Sequence, residues 1–212
     1  MINGGMASIF NFILHIEDYL GSIIQAYGSE TYLILFLIIF LETGIVVAPF
    51  LPGDSLLFAA GAFASQGLLG PGWLFLLLGL AAIAGDAVNY AIGHKVGEKI
   101  FEKDRPFISE DYLQRTRNFY NKHGKKTIIL ARFLPIIRTF APFIAGIGKM
   151  KYQEFAFYNI VGGLVWVGLF VFGGYFFGNM PVVQENFALV IVAVIIISFI
   201  PPLVEFWRHR SR

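Results

Sequence analysis

Two arginines and two carboxylates are the side chains most able to do chemistry, because each lies inside an apolar segment. Arg132 and Arg138 are six residues apart in one segment, and Glu42 and Asp54 lie in another. A central arginine costs about 2.5–3.5 kcal/mol on membrane-insertion scales, so such residues usually have a function. Arginine suits bidentate phosphate binding, and two arginines can clamp a dianion. A carboxyl group in a low-dielectric site is easily protonated, so the acids could carry protons.

Both charged segments are interrupted by residues that break helices, and similar residues follow one another in the same order in both. Phe50-Leu51-Pro52 parallels Phe133-Leu134-Pro135, and residues 57–61 parallel residues 143–146. Paired, interrupted apolar segments in two halves of a chain indicate a transporter's binding site. Broken backbone is tolerated in lipid only where protein or water shields it. We therefore predict two re-entrant helical hairpins, one acidic and one basic, with breaks supported by Pro49, Pro52, Gly53, Pro135 and Pro142.

A third polar group lies in the apolar segment 73–93, which is predicted to span the membrane. Small residues recur every fourth position from Ala81 to Gly97, and Asn89 belongs to this ridge. Such a ridge lets another helix come close. Asp86 flanks the ridge, so it is either a functional acid or one satisfied by a neighbouring helix. Asp86 and Asn89 are therefore further candidate site residues.

The composition is that of an integral membrane protein. The 212 residues are 57% hydrophobic and only 14% charged, with a mean hydropathy of +0.68. There is no cysteine, which excludes disulfides and thiolate metal sites. The four histidines are too scattered to suggest a metal site, and no cofactor is predicted. No Lys or Arg precedes Lys95, so the basic loop 94–126 and the basic C-terminus are predicted to face the cytoplasm.

The predicted fold is a single all-α membrane domain over residues 1–212. It combines two oppositely oriented re-entrant hairpins in an inverted repeat with about three spanning helices and an amphipathic N-terminal helix. The hairpin arms are placed at 31–48 and 54–69 and within 127–150, the spanning helices at 73–93, 154–178 and 187–206. The predicted parts are an interfacial helix (1–29), a first repeat (30–93), a cytoplasmic loop with an amphipathic helix (94–126), a second repeat (127–178), and a final span with a basic tail (187–212).

Enzymatic readings are not supported by the motifs. Lys125 and Arg132 match the start of a lipid phosphatase signature, but Phe133 replaces its proline and no nucleophilic histidine follows. No nucleic-acid partner is predicted. Three functions remain open: a flippase for a lipid phosphate, a proton-coupled exporter of small molecules, and a membrane organiser whose charges only lock the hairpins together. In the first, Arg132 and Arg138 bind the phosphate while Glu42 and Asp54 exchange protons.

The same residues resemble the paired signature of the DedA family, which belongs to the VTT group, also called SNARE-associated Golgi proteins. The matching residues are Phe40-Leu41-Glu42, Pro49 and Leu51-Pro52-Gly53-Asp54 in the first segment, and Arg132-Phe133, Pro135, Arg138-Thr139, Pro142 and Ala145-Gly146 in the second. The resemblance runs from about residue 30 to residue 178.

This resemblance implies a bacterial inner-membrane protein with two opposed re-entrant hairpins. It implies proton-dependent movement of lipids across the bilayer, with undecaprenyl phosphate, phosphatidylethanolamine or another phospholipid as substrate. It also implies that Glu42, Asp54, Arg132 and Arg138 are required. The expected partners are thus a membrane lipid and protons, and a homo-oligomer is a further candidate arrangement.

Overall fold

The computed structural model describes residues 16–45, 53–102, 127–194 and 196. In these residues all regular secondary structure is helical, which confirms the predicted all-α class. The helices are α1 (Ile16–Tyr27), a 3-10 turn (Gly28–Glu30), α2 (Thr31–Gly44), α3 (Gly53–Ser65), α4 (Pro71–Glu102), α5 (Thr127–Ala131), α6 (Pro135–Ile147), α7 (Tyr152–Phe177) and α8 (Pro181–Glu185). Residues 187–194 are also helical.

Three helical segments of the described chain are long and apolar enough to cross a membrane: Asp18–Gly44, Pro71–Val96 and Tyr152–Phe177. The second and third confirm two of the predicted spans. The first differs from the sequence-based prediction, which separated an interfacial helix from a short hairpin arm. The 3-10 turn, with Gly28 at a φ of 51°, joins α1 to α2, so their apolar residues add up to one run. Most of the span predicted at 187–206 lies outside the described residues.

The chain forms two compact units. The first unit comprises Met1–Leu37, Phe50–Gly79 and Val167–Arg212, and the second comprises Ile38–Pro49 and Leu80–Trp166. The long helices α4 and α7 each contribute one part to each unit. Helix α2 is also divided, because residues 31–37 belong to the first unit and residues 38–44 belong to the second.

In the first unit, α3 and α7 approach each other through glycine. A Cβ at Gly61 would overlap the main-chain carbonyl of Val171, and a Cβ at Gly174 would overlap that of Phe58. Small residues at these positions therefore allow main chain to lie directly against main chain.

In the second unit, α6 and α4 meet in the same way. A Cβ at Gly146 would overlap the carbonyl of Tyr90, and a Cβ at Gly93 would overlap that of Phe143. Phenylalanine precedes glycine by three residues in both α3 and α6. We call each of these four-residue contacts a glycine crossing. The glycine crossings match the sequence frame in which residues 57–61 parallel residues 143–146.

The helix boundary predicted at Pro135 is confirmed, because α5 ends at Ala131 and α6 begins at Pro135. The prediction that Pro142 supports a break is wrong, because Pro142 lies inside α6. Proline removes only one helix hydrogen bond here, the bond that residue 142 would donate to the carbonyl of Arg138. The rest of α6 continues because its other main-chain donors are intact.

Several other predictions fall on residues outside the described ranges. They include Pro49, Pro52, the amphipathic helix of the cytoplasmic loop and the basic C-terminal tail. Gly53 is the first residue of α3. Helix α4 continues to Glu102 and thus exceeds the predicted end at residue 93.

Candidate functional site

The carboxylate of Glu42 lies in the last turn of α2, in the second unit. Its neighbour Thr43 donates its hydroxyl proton to the Ile39 carbonyl, 2.9 Å away, which satisfies that hydroxyl within the helix. A Cβ at Gly85 of α4 would overlap the Thr43 hydroxyl oxygen, and one at Gly44 would lie 3.4 Å from the Gly85 Cα atom. Glycine at both positions thus lets the end of α2 touch α4 and carry Glu42 into the interior.

Arg138 lies in the first turn of α6 and forms an ion pair with Glu42. Its Nη2 atom donates to Oε1 of Glu42, and the side chains are 7% and 0% exposed, respectively. The guanidinium carbon also lies 5.0 Å from the centre of the Trp166 ring on α7. Cation–π attraction is strongest when the cation is desolvated, so the indole stabilises this charge in addition to the carboxylate.

Arg132 lies in the turn between α5 and α6 and forms a second, separate ion pair. Its Nη2 atom is 2.5 Å from Oδ2 of Asp86, and each side chain is 4% exposed. The same Nη2 atom donates to Oδ1 of Asn159 on α7. Asn159 is itself fixed, because its Nδ2 atom donates to the Ile83 carbonyl at 3.0 Å. Arg132 is thus held by α4 and α7 together.

Two adjacent glycines of α7 make room for Arg132. A Cβ at Gly162 would lie 3.0 Å from the Arg132 Cδ atom, and one at Gly163 would lie 2.9 Å from Cγ1 of Ile83 and 3.4 Å from Arg132 Nη2. The distances to Arg132 Cδ and to Ile83 Cγ1 are closer than ordinary van der Waals contact. The absence of side chains at these two positions therefore allows a long guanidinium group to pass along α7.

Asn89 of α4 connects the two broken segments through their main chains. Its Nδ2 atom donates to the carbonyl of Thr43 at 3.2 Å and to the carbonyl of Thr139 at 2.7 Å. These carbonyls belong to the residues that follow Glu42 and Arg138 in sequence. Asn89 therefore fixes the backbone beside both members of that ion pair. Its Oδ1 atom is buried and has no hydrogen-bond partner among the described residues.

The predicted site residues are thus distributed unequally. Glu42, Arg132 and Arg138 lie in the second unit, together with Asp86 and Asn89, and all five are buried there. Asp54 is buried in the first turn of α3 and belongs to the first unit. A carboxylate at that position interacts favourably with the positive end of the helix dipole. Its predicted role in proton coupling stays a prediction.

Sequence reasoning did not find Asn159 and Trp166, which contact the two arginines. They lie seven residues apart on α7, two helical turns, and therefore share a face. An amide inside an apolar span, followed closely by two glycines, was the available signal. No three His, Asp or Glu side chains in the described part of the chain are grouped to hold a metal ion.

The arrangement constrains what the arginines can bind. Both guanidinium groups are desolvated, and each is neutralised by one carboxylate. Breaking a buried pair leaves an uncompensated charge, which is strongly unfavourable. An anion that replaces the carboxylate at either arginine leaves that carboxylate without its cation, and the displaced carboxylate must then be neutralised.

Comparisons with known proteins place the chain in a family. Residues 51–176 match the model of the VTT domain. The chain is 54% identical over 205 residues to Protein DedA of Escherichia coli, which covers 95% of this chain and 94% of that protein. It is 41% identical over 177 residues to an uncharacterized membrane protein of Mycobacterium leprae, covering 82% and 79% of the two chains.

A more distant relative is Inner membrane protein YqjA of Escherichia coli. It is 33% identical over 187 residues, with coverage of 84% of this chain and 85% of that protein. No solved structure matches the chain. The length and identity of these matches, together with the three apolar helices, identify a membrane protein. The chain belongs to the DedA family of VTT-domain membrane proteins.

Proposed function

We propose that this protein is a flippase that moves undecaprenyl phosphate across the bacterial inner membrane and depends on the proton motive force. In this proposal Arg132 and Arg138 bind the phosphate, and Glu42 and Asp54 carry protons. No covalent step on the lipid takes place. The observation that carries the proposal is the pairing of two buried arginines with two buried carboxylates inside one unit.

The preference for a phosphate follows from the chemistry of the arginines. A guanidinium group is planar and always charged, and it binds phosphate oxygens through two parallel hydrogen bonds. Two such groups match the charge of a phosphate monoester, which is about −1.5 to −2 near neutral pH. A small apolar molecule has no negative charge with which to neutralise two desolvated cations. A lipid with a terminal phosphate supplies both the anion and an apolar tail that can stay in the membrane.

The coupling to protons follows from the ion pairs. When phosphate replaces Glu42 at Arg138, the carboxylate loses its partner in a desolvated place. Protonation removes that charge, and loss of the proton restores competition for the arginine. A proton gradient would thereby favour phosphate binding on the more acidic side and release on the other. In this proposal Asp54, in the same acidic segment of the sequence, also gains and loses a proton during transport.

The membrane arrangement is part of the proposal. Helices α3 and α6 have 13 residues each, about 20 Å at 1.5 Å per residue, whereas the hydrocarbon core is about 30 Å thick. We assign both as half-helices of re-entrant hairpins. The glycine crossings, present once in each unit, support an inverted repeat. The excess of basic residues after residue 94 supports a multi-pass inner-membrane topology with a cytoplasmic C-terminus.

The proposal is tested with purified protein in vesicles that contain labelled undecaprenyl phosphate, with and without an imposed pH gradient. We expect the wild type to move the lipid faster with the gradient, and Arg132→Gln and Arg138→Gln to abolish this movement. Lys151→Gln is the matched control, because it removes an exposed basic side chain at the start of α7. Expression and thermal unfolding of each variant are measured alongside.

Three outcomes would contradict the proposal. Full transport by either arginine variant would exclude the clamp. Movement of labelled phosphatidylethanolamine at a higher rate than undecaprenyl phosphate, independent of the gradient, would instead indicate a phospholipid scramblase. A small-molecule exporter predicts movement of neither lipid.

A further inference from the structure

The carboxylate closest to Arg132 is Asp86, and the proposed function gives it no role. We propose that Asp86 is a proton-coupling residue that exchanges with the substrate phosphate at Arg132, as Glu42 does at Arg138. This inference rests on the proposed function and adds that each arginine has its own exchangeable carboxylate. It also specifies the substrate class as a phosphate monoester, a dianion.

The contacts of Arg132 show why one of its partners must leave when a phosphate binds. One nitrogen, Nη2, serves both Asp86 and Asn159 and lies 3.5 Å from the carbonyl oxygen of Ala82. The glycines of α7 fill the space on another side of this guanidinium group with main chain. The Nε atom is buried and has no hydrogen-bond partner among the described residues. Nη2 carries two protons, and Asp86 and Asn159 accept them. A phosphate that uses Nη2 and Nε as a fork must therefore displace one of these two partners, and in this proposal it displaces Asp86, the partner that a proton can neutralise.

Asn159 can keep Arg132 in place during the exchange. Its Oδ1 atom accepts from Nη2, and its Nδ2 atom is anchored on the α4 carbonyl of Ile83. An amide is neutral at every pH, so this contact does not change when Asp86 gains a proton. Arg132 thus has one permanent partner and one exchangeable partner, which is what a binding group needs to remain oriented while its counter-ion changes.

The charged groups around Asp86 determine whether it gains or loses a proton when phosphate binds. Among the described residues of the second unit, Arg132 is in direct contact with Asp86, and Glu42 and Arg138 form the other buried ion pair. On the α2 side, the neighbouring Gly85 lies against uncharged atoms of Phe40, Thr43 and Gly44. On the α7 side, the neutral Asn159 accepts from Arg132. When phosphate takes Arg132, the attraction that keeps Asp86 ionised is lost. Protonation of Asp86 is the remaining way to avoid an uncompensated buried anion.

A count of charges gives the number of protons. Within the second unit, which does not include Asp54, the two arginines and the carboxylates of Glu42 and Asp86 sum to zero without substrate. With a phosphate dianion bound, the sum returns to zero only when both carboxylates are protonated. A phosphate diester has one negative charge and needs only one proton. Proton uptake on binding therefore distinguishes the two classes of headgroup, and it reports directly on Asp86.

The experiment is titration calorimetry of the full chain in nanodiscs with hexyl phosphate, a soluble phosphate monoester. Repeating the titration in buffers of different ionisation enthalpy gives the number of protons taken up per ligand. Hexyl phosphate is close to a dianion near neutral pH, so we expect the wild type to take up about two protons per bound ligand. Asp86→Asn should take up one fewer proton, and Asp86→Glu should keep the wild-type number. The control variant Glu42→Gln should also lose one proton while Asp86 is intact.

A second variant keeps the test valid if Asp86→Asn fails to fold with its uncompensated arginine. The double variant Asp86→Asn, Arg132→Gln removes both charges of the pair, a replacement that buried pairs often tolerate. It should bind hexyl phosphate more weakly, through Arg138, and the infrared difference spectrum of binding should show one newly protonated carboxyl group, at Glu42, where the wild type shows two. Unchanged proton uptake by Asp86→Asn, or two newly protonated carboxyl groups in the double variant, would overturn the role of Asp86 alone. Absence of any phosphate binding by the wild type would overturn the proposed function as well.

Discussion

The ion pair between Glu42 and Arg138 allows a quantitative prediction about stability. Both side chains are almost completely buried, at 0% and 7% exposure, so the weak energies of surface pairs do not apply. Glu42→Gln leaves a buried guanidinium group without its carboxylate, and Arg138→Gln leaves a buried carboxylate without its cation. Each single change should destabilise the protein by about 3–5 kcal/mol. For a chain of this size, that lowers the unfolding midpoint by about 6–20 °C.

The double variant Glu42→Gln, Arg138→Gln should be more stable than the sum of the single effects implies. It contains no uncompensated charge, and two amides can bond to each other. A coupling energy of about 2–3 kcal/mol is expected between the two positions. Arg138→Gln also loses the contact with Trp166, worth up to about 2 kcal/mol when desolvated, so it should be the more harmful single change.

The assay is thermal unfolding in one detergent at one pH, followed by circular dichroism, for the wild type, both single variants and the double variant. Lys151→Gln serves as control, because an exposed charge should change stability by no more than about 0.5 kcal/mol. Additive losses, with the double variant equal to the sum of the singles within about 0.5 kcal/mol, would refute the reasoning. The two side chains would then not act as a buried pair.

Two further predictions concern residues that position the site and the helices. Asn89→Ala should destabilise the protein by about 1–3 kcal/mol in chemical unfolding, because the Thr43 carbonyl at the end of α2 loses its donor, whereas the Thr139 carbonyl inside α6 keeps its helix hydrogen bond. A change below about 0.5 kcal/mol would exclude the bridging role. Gly174→Ala should destabilise the protein by about 1–3 kcal/mol, because its Cβ would overlap a main-chain carbonyl. The control Gly173→Ala should be neutral or stabilise by up to about 1 kcal/mol, because its Cβ meets no described atom within 4 Å. Equal effects of the two variants in thermal unfolding would contradict the glycine crossing.

The sequence was most informative where the signal is local. Two of the predicted spans could be found because a helix needs about 20 apolar residues to cross a bilayer. The boundary at Pro135 could be found because proline suits the first position of a helix. The continuity of residues 18–44 was missed, since Gly28 and Glu30 look like a helix end in sequence. The structure instead uses the positive φ of Gly28 to continue the chain into α2.

The buried charges could be found from the sequence, but their partners could not. An ionisable residue in an apolar segment is visible by its type alone. The pairing of Arg132 with Asp86 joins residues 46 positions apart and depends on how α4 and the turn after α5 meet. Asn159 is an ordinary amide until its contact with Arg132 is known. Local patterns contain no information about such tertiary contacts, so only the structure could assign one carboxylate to each arginine.

The glycine crossing of the second unit limits how the site can change its exposure. Where α6 lies on α4, no side chain stands between the two backbones, so there is no rotamer that could change to let one helix slide on the other. The pair should behave as a single rigid piece. A change in access to Arg138 must then arise from its own torsion angles, from the side chains of Glu42 and Trp166 that contact it, or from the short turn of residues 132–134. Hydrogen exchange should accordingly be slow at the crossing and faster in that turn.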